Sequence, residues 1–172
     1  MVPIGTLAPP FGCSAWIRGR VRRLSWSQLH TGHTLLLLFD AEAARVHGEL
    51  CELNQTACRL KALGAKAAVI CRGPLHRIEG RAEDSLARGE PLALTVIVDP
   101  EDHLAALYHL VSVDNAARWG QFIIDAAGLV RQVEICRCHI DANADELVRF
   151  VRGIANDVIE NCNQFEEKKN DD

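Results

Sequence analysis

No apolar run in this chain approaches the roughly 20 residues needed to cross a bilayer. The longest clean one is Leu35–Phe39, so no membrane span is expected. A basic excess is missing too: 19 Lys and Arg stand against 23 Asp and Glu, for a formal net charge of −4. That balance argues against nucleic acid or an anionic membrane surface as the main partner, because both require a basic footprint. The opening MVPIGTLAPP has no basic segment followed by an apolar core; it does not read as a secretory signal, and a cytoplasmic location is expected. There is no Cys-x-x-Cys pair, no internal repeat, no low-complexity block and no linker. One domain over residues 1–163 is therefore expected, followed by a charged, solvated tail, QFEEKKNDD, over 164–172.

What is present suits a soluble core. The 172 residues are 48% apolar and 24% charged, enough for one domain with a full hydrophobic interior. The seven cysteines, Cys13, Cys51, Cys58, Cys71, Cys136, Cys138 and Cys162, are odd in number and lack framework spacing. That is not the pattern of a secreted disulfide scaffold. Several lie on apolar patterns, where cysteine packs as a small hydrophobe.

Periodicity gives an order of elements. Phe11 to Leu24 reads as a β-hairpin with Gly19 in its turn, and Ser25 to Leu29 as a turn or short helix. Leu35–Phe39 is continuously apolar, as a central strand covered on both faces should be. From about Ala43 to Leu63, Val46, Leu50, Leu53, Ala57, Leu60 and Leu63 trace one helical stripe, which Gly64 is placed to cap. Ala67–Cys71 and Leu92–Val98 read as further strands, with a polar, helical His76–Arg88 between them. A helix over Glu101–Leu110 is expected, with acidic residues in its first turn where the dipole favours them. Gln121–Asp125 and Leu129–Ile135 form a hairpin through Ala126-Ala127-Gly128. A last helix starts at Asn143, with Glu146 three residues on and a buried face of Leu147, Phe150, Val151, Ile154 and Val158. Strands alternating with helices imply an α/β fold with helices on both faces of a mixed sheet.

Four segments carry a family resemblance. Ile4-Gly5-Thr6-Leu7-Ala8-Pro9-Pro10-Phe11, Leu24-Ser25-Trp26-Ser27-Gln28-Leu29, Val98-Asp99-Pro100 with His103 to Tyr108, and Phe122-Ile123-Ile124-Asp125-Ala126-Ala127-Gly128-Leu129-Val130-Arg131 resemble stretches of the peroxiredoxins. The branch is that of alkyl hydroperoxide reductase C and thiol-specific antioxidant. In order and at suitable spacing they cover roughly residues 4 to 152. The resemblance implies a thioredoxin-like fold: a central mixed β-sheet, helices on both faces and an N-terminal β-hairpin. It also implies a redox, antioxidant activity.

The chemistry that the resemblance implies is missing from its expected places. Family members open their first long helix with P-x-x-x-T-x-x-C, where main-chain donors and an arginine activate the thiol. Here Asp40 to Gly48 contains no cysteine. Matching the flanking strands puts Val46 near the cysteine position and Ala43 near the threonine, with no proline before them. The arginine before F-I-I-D falls on Trp119, with Arg118 one step away, and the second arginine falls near Ala142. A thioredoxin-type dithiol site is absent as well, since no proline stands at the cis-proline position near Trp119.

Other residues could stand in. Cys51 lies about one helical turn beyond the expected site, where Arg45 or His47 could activate it; otherwise it packs beside Leu50. Cys162 has roughly the place of a resolving cysteine, or is a chance surface thiol. Cys136-Arg137-Cys138-His139 looks like a metal or redox motif, but residues two apart on a strand sit about 6.5–7 Å from each other, poorly placed for a disulfide. A zinc there would need further ligands, such as His103 or Cys71. No metal and no cofactor are expected. Trp119 is a candidate to fill the space left by the lost groups.

The expectation is a non-catalytic peroxiredoxin homologue, a pseudoenzyme acting through a homodimer, a larger homo-oligomer or another protein partner. The rival readings are a thiol peroxidase or disulfide oxidoreductase using Cys51 or Cys162 with Arg118, and a metal-binding or redox-sensing protein.

Overall fold

A computed structural model describes residues 2–17, 20–40, 46–71, 93–111, 119–136 and 145–154, with backbone alone at 40, 46–52, 119 and 136. The segments expected at His76–Arg88 and at the 164–172 tail lie outside these residues, as do Gly19 and Asn143.

The apolar run becomes β3 (Leu35–Asp40), and it takes a central place for the reason its composition suggests. It pairs in parallel with β4 (Lys66–Cys71) on one side and antiparallel with β6 (Trp119–Ile124) on the other. The hairpin forms β1 (Gly12–Ile17) and β2 (Arg20–Ser25), and β5 (Leu94–Val98) lies parallel to β4. With β7 (Val130–Cys136), the described strands make one seven-stranded mixed sheet in the order β2-β1-β5-β4-β3-β6-β7.

Alternate residues of β3 feed two cores, as a two-fold side-chain period requires. Leu35, Leu37 and Phe39 pack with Phe122, Ile124, Leu29 of α1 (Trp26–Leu29) and Tyr108 on one face. Leu36 and Leu38 pack with Ile123, Ala57, Leu60, Leu147 and Val151 on the other. Helices therefore cover both faces. Leu60, fully buried on α2 (Val46–Ala62), is worth about 2–5 kcal/mol against alanine at such a site. Gly64 ends that helix at φ 75, and Ala65 N–H returns to Leu60 O at 3.0 Å. Only glycine adopts that conformation without strain.

Three sequence expectations need correction. The helix expected over 101–110 is the shorter α3 (His103–Leu107), and no acidic residue lies in its first turn. Asp102 stands just outside in a left-handed conformation, φ 56. The anion at that N-terminus is the buried Asp99, whose Oδ2 accepts the N–H groups of Leu104 at 2.9 Å and Ala105 at 3.0 Å. His109 at φ 58 and a Leu110 N–H to Ala105 O bond of 2.8 Å close the other end. Second, the strand expected over 92–98 includes Ala93, yet β5 begins at Leu94. Ala93 N–H donates to Asn54 Oδ1 of α2 instead, at 2.8 Å. Third, the helical residues 145–154, α4, bury Val148 and leave Phe150 37% exposed. The buried stripe centres on Val151, between Leu147 and Val148, and Phe150 falls on its edge.

Candidate functional site

The carboxyl ends of the parallel strands are where open α/β sheets place ligands. Strand register gathers Asp40, Cys71, Trp119 and Cys136 there. Asp40 pairs with Cys71, and Trp119 pairs with Cys136 and precedes Gly120, the partner of Phe39. Asp99 follows β5, and Cys13 lies on β1 beside it, since Ser14 pairs with Val98. Cys71 and Cys136 are three strand spacings apart, about 14 Å, which excludes a disulfide between them.

The described polar groups at this end are occupied or passive. Asp99 caps α3. The half-buried Cys13 thiol donates to Leu24 O at 3.7 Å. Burial, and secondarily the Asp99 charge, push it up to about 11; a nucleophilic thiol needs the opposite shift. Tyr108 is buried and donates to Pro9 O at 3.2 Å. Gly120 has no room for a side chain: a Cβ there would meet the two methyl carbons of Leu110 at 2.6 and 2.7 Å. Gln121 is buried beside it on the α2 side of the sheet, opposite Leu38, and its Oε1 has no hydrogen-bond partner among the described residues. A buried glutamine acceptor left unpaired costs about 1–3 kcal/mol.

The other end of β6 is built from the segment that carried the resemblance. Asp125 Oδ1 accepts the N–H groups of Ala127 and Leu129, each at 2.9 Å. Its Oδ2 accepts Arg131 Nε at 2.6 Å. Gly128 turns the chain at φ 87, and His30 Nε2 reaches Asp125 O at 2.6 Å while its ring stacks on Trp26. Arg131 is thus committed to Asp125, six residues and about 20 Å along the chain from Trp119 at ~3.3 Å per residue.

Residues 4–133 match the AhpC/TSA family pattern. The chain belongs to the AhpC/TSA family. This AhpC/TSA chain is 22% identical over 157 residues to a thioredoxin peroxidase of Echinococcus granulosus, covering 86% of itself and 79% of that protein. Among solved structures it is similar to AhpC of Enterococcus faecalis, with a TM-score of 0.77, 21% identity, and 91% and 94% of the two chains covered. It is also similar to the mitochondrial 2-Cys peroxiredoxin of Plasmodium falciparum, with a TM-score of 0.69, 17% identity, and 88% and 94% covered. The thioredoxin-like fold with its N-terminal hairpin is that of these peroxiredoxins.

Of the positions singled out in the sequence, Ala43, Arg118, Cys138, His139, Ala142 and Cys162 lie outside the described residues. Four others have a described backbone. Val46 opens α2, Cys51 lies five residues into it, Trp119 opens β6 and Cys136 ends β7. Cys51 and the exposed Cys58 share that continuous helix, about 10 Å apart along its axis, so they do not bridge within it. Among the described residues no three His, Cys, Asp or Glu side chains come together as a metal cluster. No described helix is long and apolar enough to cross a membrane.

Sequence reasoning missed an aromatic cluster below this sheet end. Phe39, Tyr108 and Phe122 meet with ring centroids 4.9–5.6 Å apart, and Phe11 links Tyr108 to Trp26. In a chain only 5% aromatic, that concentration puts five of the rings in one cluster on the α1/α3 face. The available signal was the scarcity itself: few aromatics, and most of them on predicted strands or the short helix-turn at 25–29.

Proposed function

We propose that this AhpC/TSA chain is a non-catalytic member of its family, acting as a homodimer, a larger homo-oligomer or a complex with another protein, in a reducing, cytoplasm-like compartment. The observation that carries the reading is the sequence from Asp40 to Gly48, which has no cysteine, no threonine and no proline, with α2 beginning at Val46. Trp119 in place of the arginine expected before F-I-I-D and Ala142 in place of the second remove the cations as well. Cys13, held up at about 11 at the same sheet end, does not replace the missing thiol. Retained fold with a stripped site supports a role in assembly, since function follows the site and not the scaffold.

The rival reading draws on the relative named thioredoxin peroxidase. It would use Cys51 or Cys162 as the thiol that takes one oxygen from a hydroperoxide, giving a sulfenic acid and releasing water or an alcohol. One experiment separates the two. The reduced protein is treated with stoichiometric hydrogen peroxide, and sulfenic acid and disulfide are mapped by mass spectrometry over time. Uniformly slow oxidation is expected, with the half-buried Cys13 slower to alkylate at neutral pH than the exposed Cys58. A shift from 9.0 to about 11 leaves about a hundredfold less thiolate there. Fast oxidation confined to Cys51 or Cys162 overturns the non-catalytic reading.

A further inference from the structure

Against a net charge of −4, four of the chain's 19 basic residues fall within positions 18–23, Arg-Gly-Arg-Val-Arg-Arg. Three of them, Arg20, Arg22 and Arg23, stand exposed on β2, an edge strand of the sheet. None takes part in a salt bridge among the described residues.

The main chain of β2 has a fixed phase. Trp26 N–H donates to Phe11 O at 2.8 Å, so the pairs exchanging hydrogen bonds with β1 are Phe11–Trp26 and, at every second step of the register, Cys13–Leu24, Ala15–Arg22 and Ile17–Arg20. The alternate residues, Val21, Arg23 and Ser25, aim their N–H and C=O groups away from the sheet. Ser25 N–H is already taken by Gln28 Oε1 at 2.9 Å, which closes that end of the edge. Among the described residues nothing pairs with the outward groups of Val21 and Arg23, and Val21 is 38% exposed between two arginines.

We infer that the outer edge of β2 is a docking site for an extended acidic segment of a partner protein. Such a strand gains about four main-chain hydrogen bonds at Val21 and Arg23. Carboxylates at two adjacent positions then face Arg22 on one side of the sheet and Arg23 on the other, and an apolar residue lies opposite Val21. Charge decides between occupants. A second copy of this edge would set arginines against arginines, as edge charges do when they block self-pairing, whereas an acidic strand satisfies both the main chain and the side chains. The inference gives the partner-binding arm of the proposed function a surface. It involves no thiol, so a peroxide-reactive cysteine would sink the non-catalytic reading and leave the docking edge standing.

The test uses a fluorescein-labelled acidic decapeptide of alternating glutamate pairs and valine, with binding to the full chain read by anisotropy at low and physiological salt. Arg22→Glu/Arg23→Glu should weaken binding about tenfold or more, as losing two exposed pairs and adding repulsion does. Val21→Pro removes an outward N–H that the fold does not use, and should weaken binding while leaving thermal unfolding little changed. The same peptide N-methylated at alternate residues should bind correspondingly less well, a comparison that needs no protein variant. Binding within twofold of wild type in the arginine variant, or equal binding of the methylated peptide, overturns the inference. So does single-stranded DNA of matched charge that binds as tightly as the peptide.

Discussion

At its carboxyl end β6 runs into Asp125, a buried carboxylate that accepts three hydrogen bonds, from Ala127, Leu129 and Arg131. At its amino end the same strand begins Trp119-Gly120-Gln121. There the backbone is pressed against Leu110 and a buried amide oxygen is left without a partner. One end is closed by saturated polar contacts, the other by steric fit. The polar end needs its charge because two turn N–H groups and a guanidinium would otherwise be uncompensated. The steric end tolerates an unsatisfied group because the surrounding apolar packing offsets it. Under the proposed reading, the reactive-site arginine of the family would fall at the steric end, where this sequence has Trp119.

The largest effect that sharpens this contrast is expected at Asp125. Replacing it with alanine strips the acceptor from Ala127 and Leu129 and leaves Arg131, itself about half exposed, without its partner. A loss of about 3 kcal/mol follows from two part-buried turn donors left without their acceptor and a broken partly buried pair. Urea denaturation measures it, and Asp125→Asn, which keeps an acceptor oxygen for the turn, should lose roughly half as much by the same bookkeeping. A cost below about 1 kcal/mol for Asp125→Ala would break the contrast, because the turn would then hold without its carboxylate.

Steric closure at the other end is tested by Gly120→Val. The added Cβ would lie 2.6 and 2.7 Å from the methyls of Leu110 and 3.2 Å from the Phe122 ring. Both neighbours are fully buried, so neither has free space to yield into. Overpacking of this kind costs about 1–3 kcal/mol. In a double-mutant cycle with Leu110→Ala, the penalty of Gly120→Val should shrink, giving a favourable coupling of about 0.5–3 kcal/mol. Strictly additive effects would show that Leu110 is not what fills the space.

How much of this was legible in the sequence depended on range. The Asp125 turn could be read because every partner of its carboxylate lies within six residues, and Gly128 and Gly64 announce their turns by residue type alone. The hairpin, the central strand and the α2 stripe were legible for the same reason, as local periodicity sets them. The Asp99 cap was not: it sits four residues before His103, the first residue of α3, while Glu101 and Asp102 stand nearer and look like the better candidates. Leu110 and Gly120 are ten residues apart, beyond the reach of turn or helix periodicity, and Phe11, Phe39, Tyr108 and Phe122 come from segments far apart in the chain. No short-range pattern carries such contacts, and only the sheet order brings them together. At the candidate site the sequence offers only an expectation of which family residues are missing, read from the matching of flanking strands. It could not say what the sheet end does instead.

The smallest effect expected is also the one with the opposite sign. Gln121→Leu keeps the bulk of the side chain, matches the apolar neighbours Leu38 and Ile123 on that face, and removes the unpartnered Oε1. Replacing an unmet buried acceptor with an apolar group of similar shape should stabilise the chain by about 1 kcal/mol. That raises Tm by roughly 2–4 °C for a domain of this size, which thermal unfolding resolves. Destabilisation instead would mean that the amide is held in place by something it serves, a bound molecule or a partner surface at the steric end of β6. Repeating the melt with and without candidate acidic peptide or hydroperoxide would then show which, since a ligand that binds through Gln121 raises the Tm of the wild type and not of Gln121→Leu.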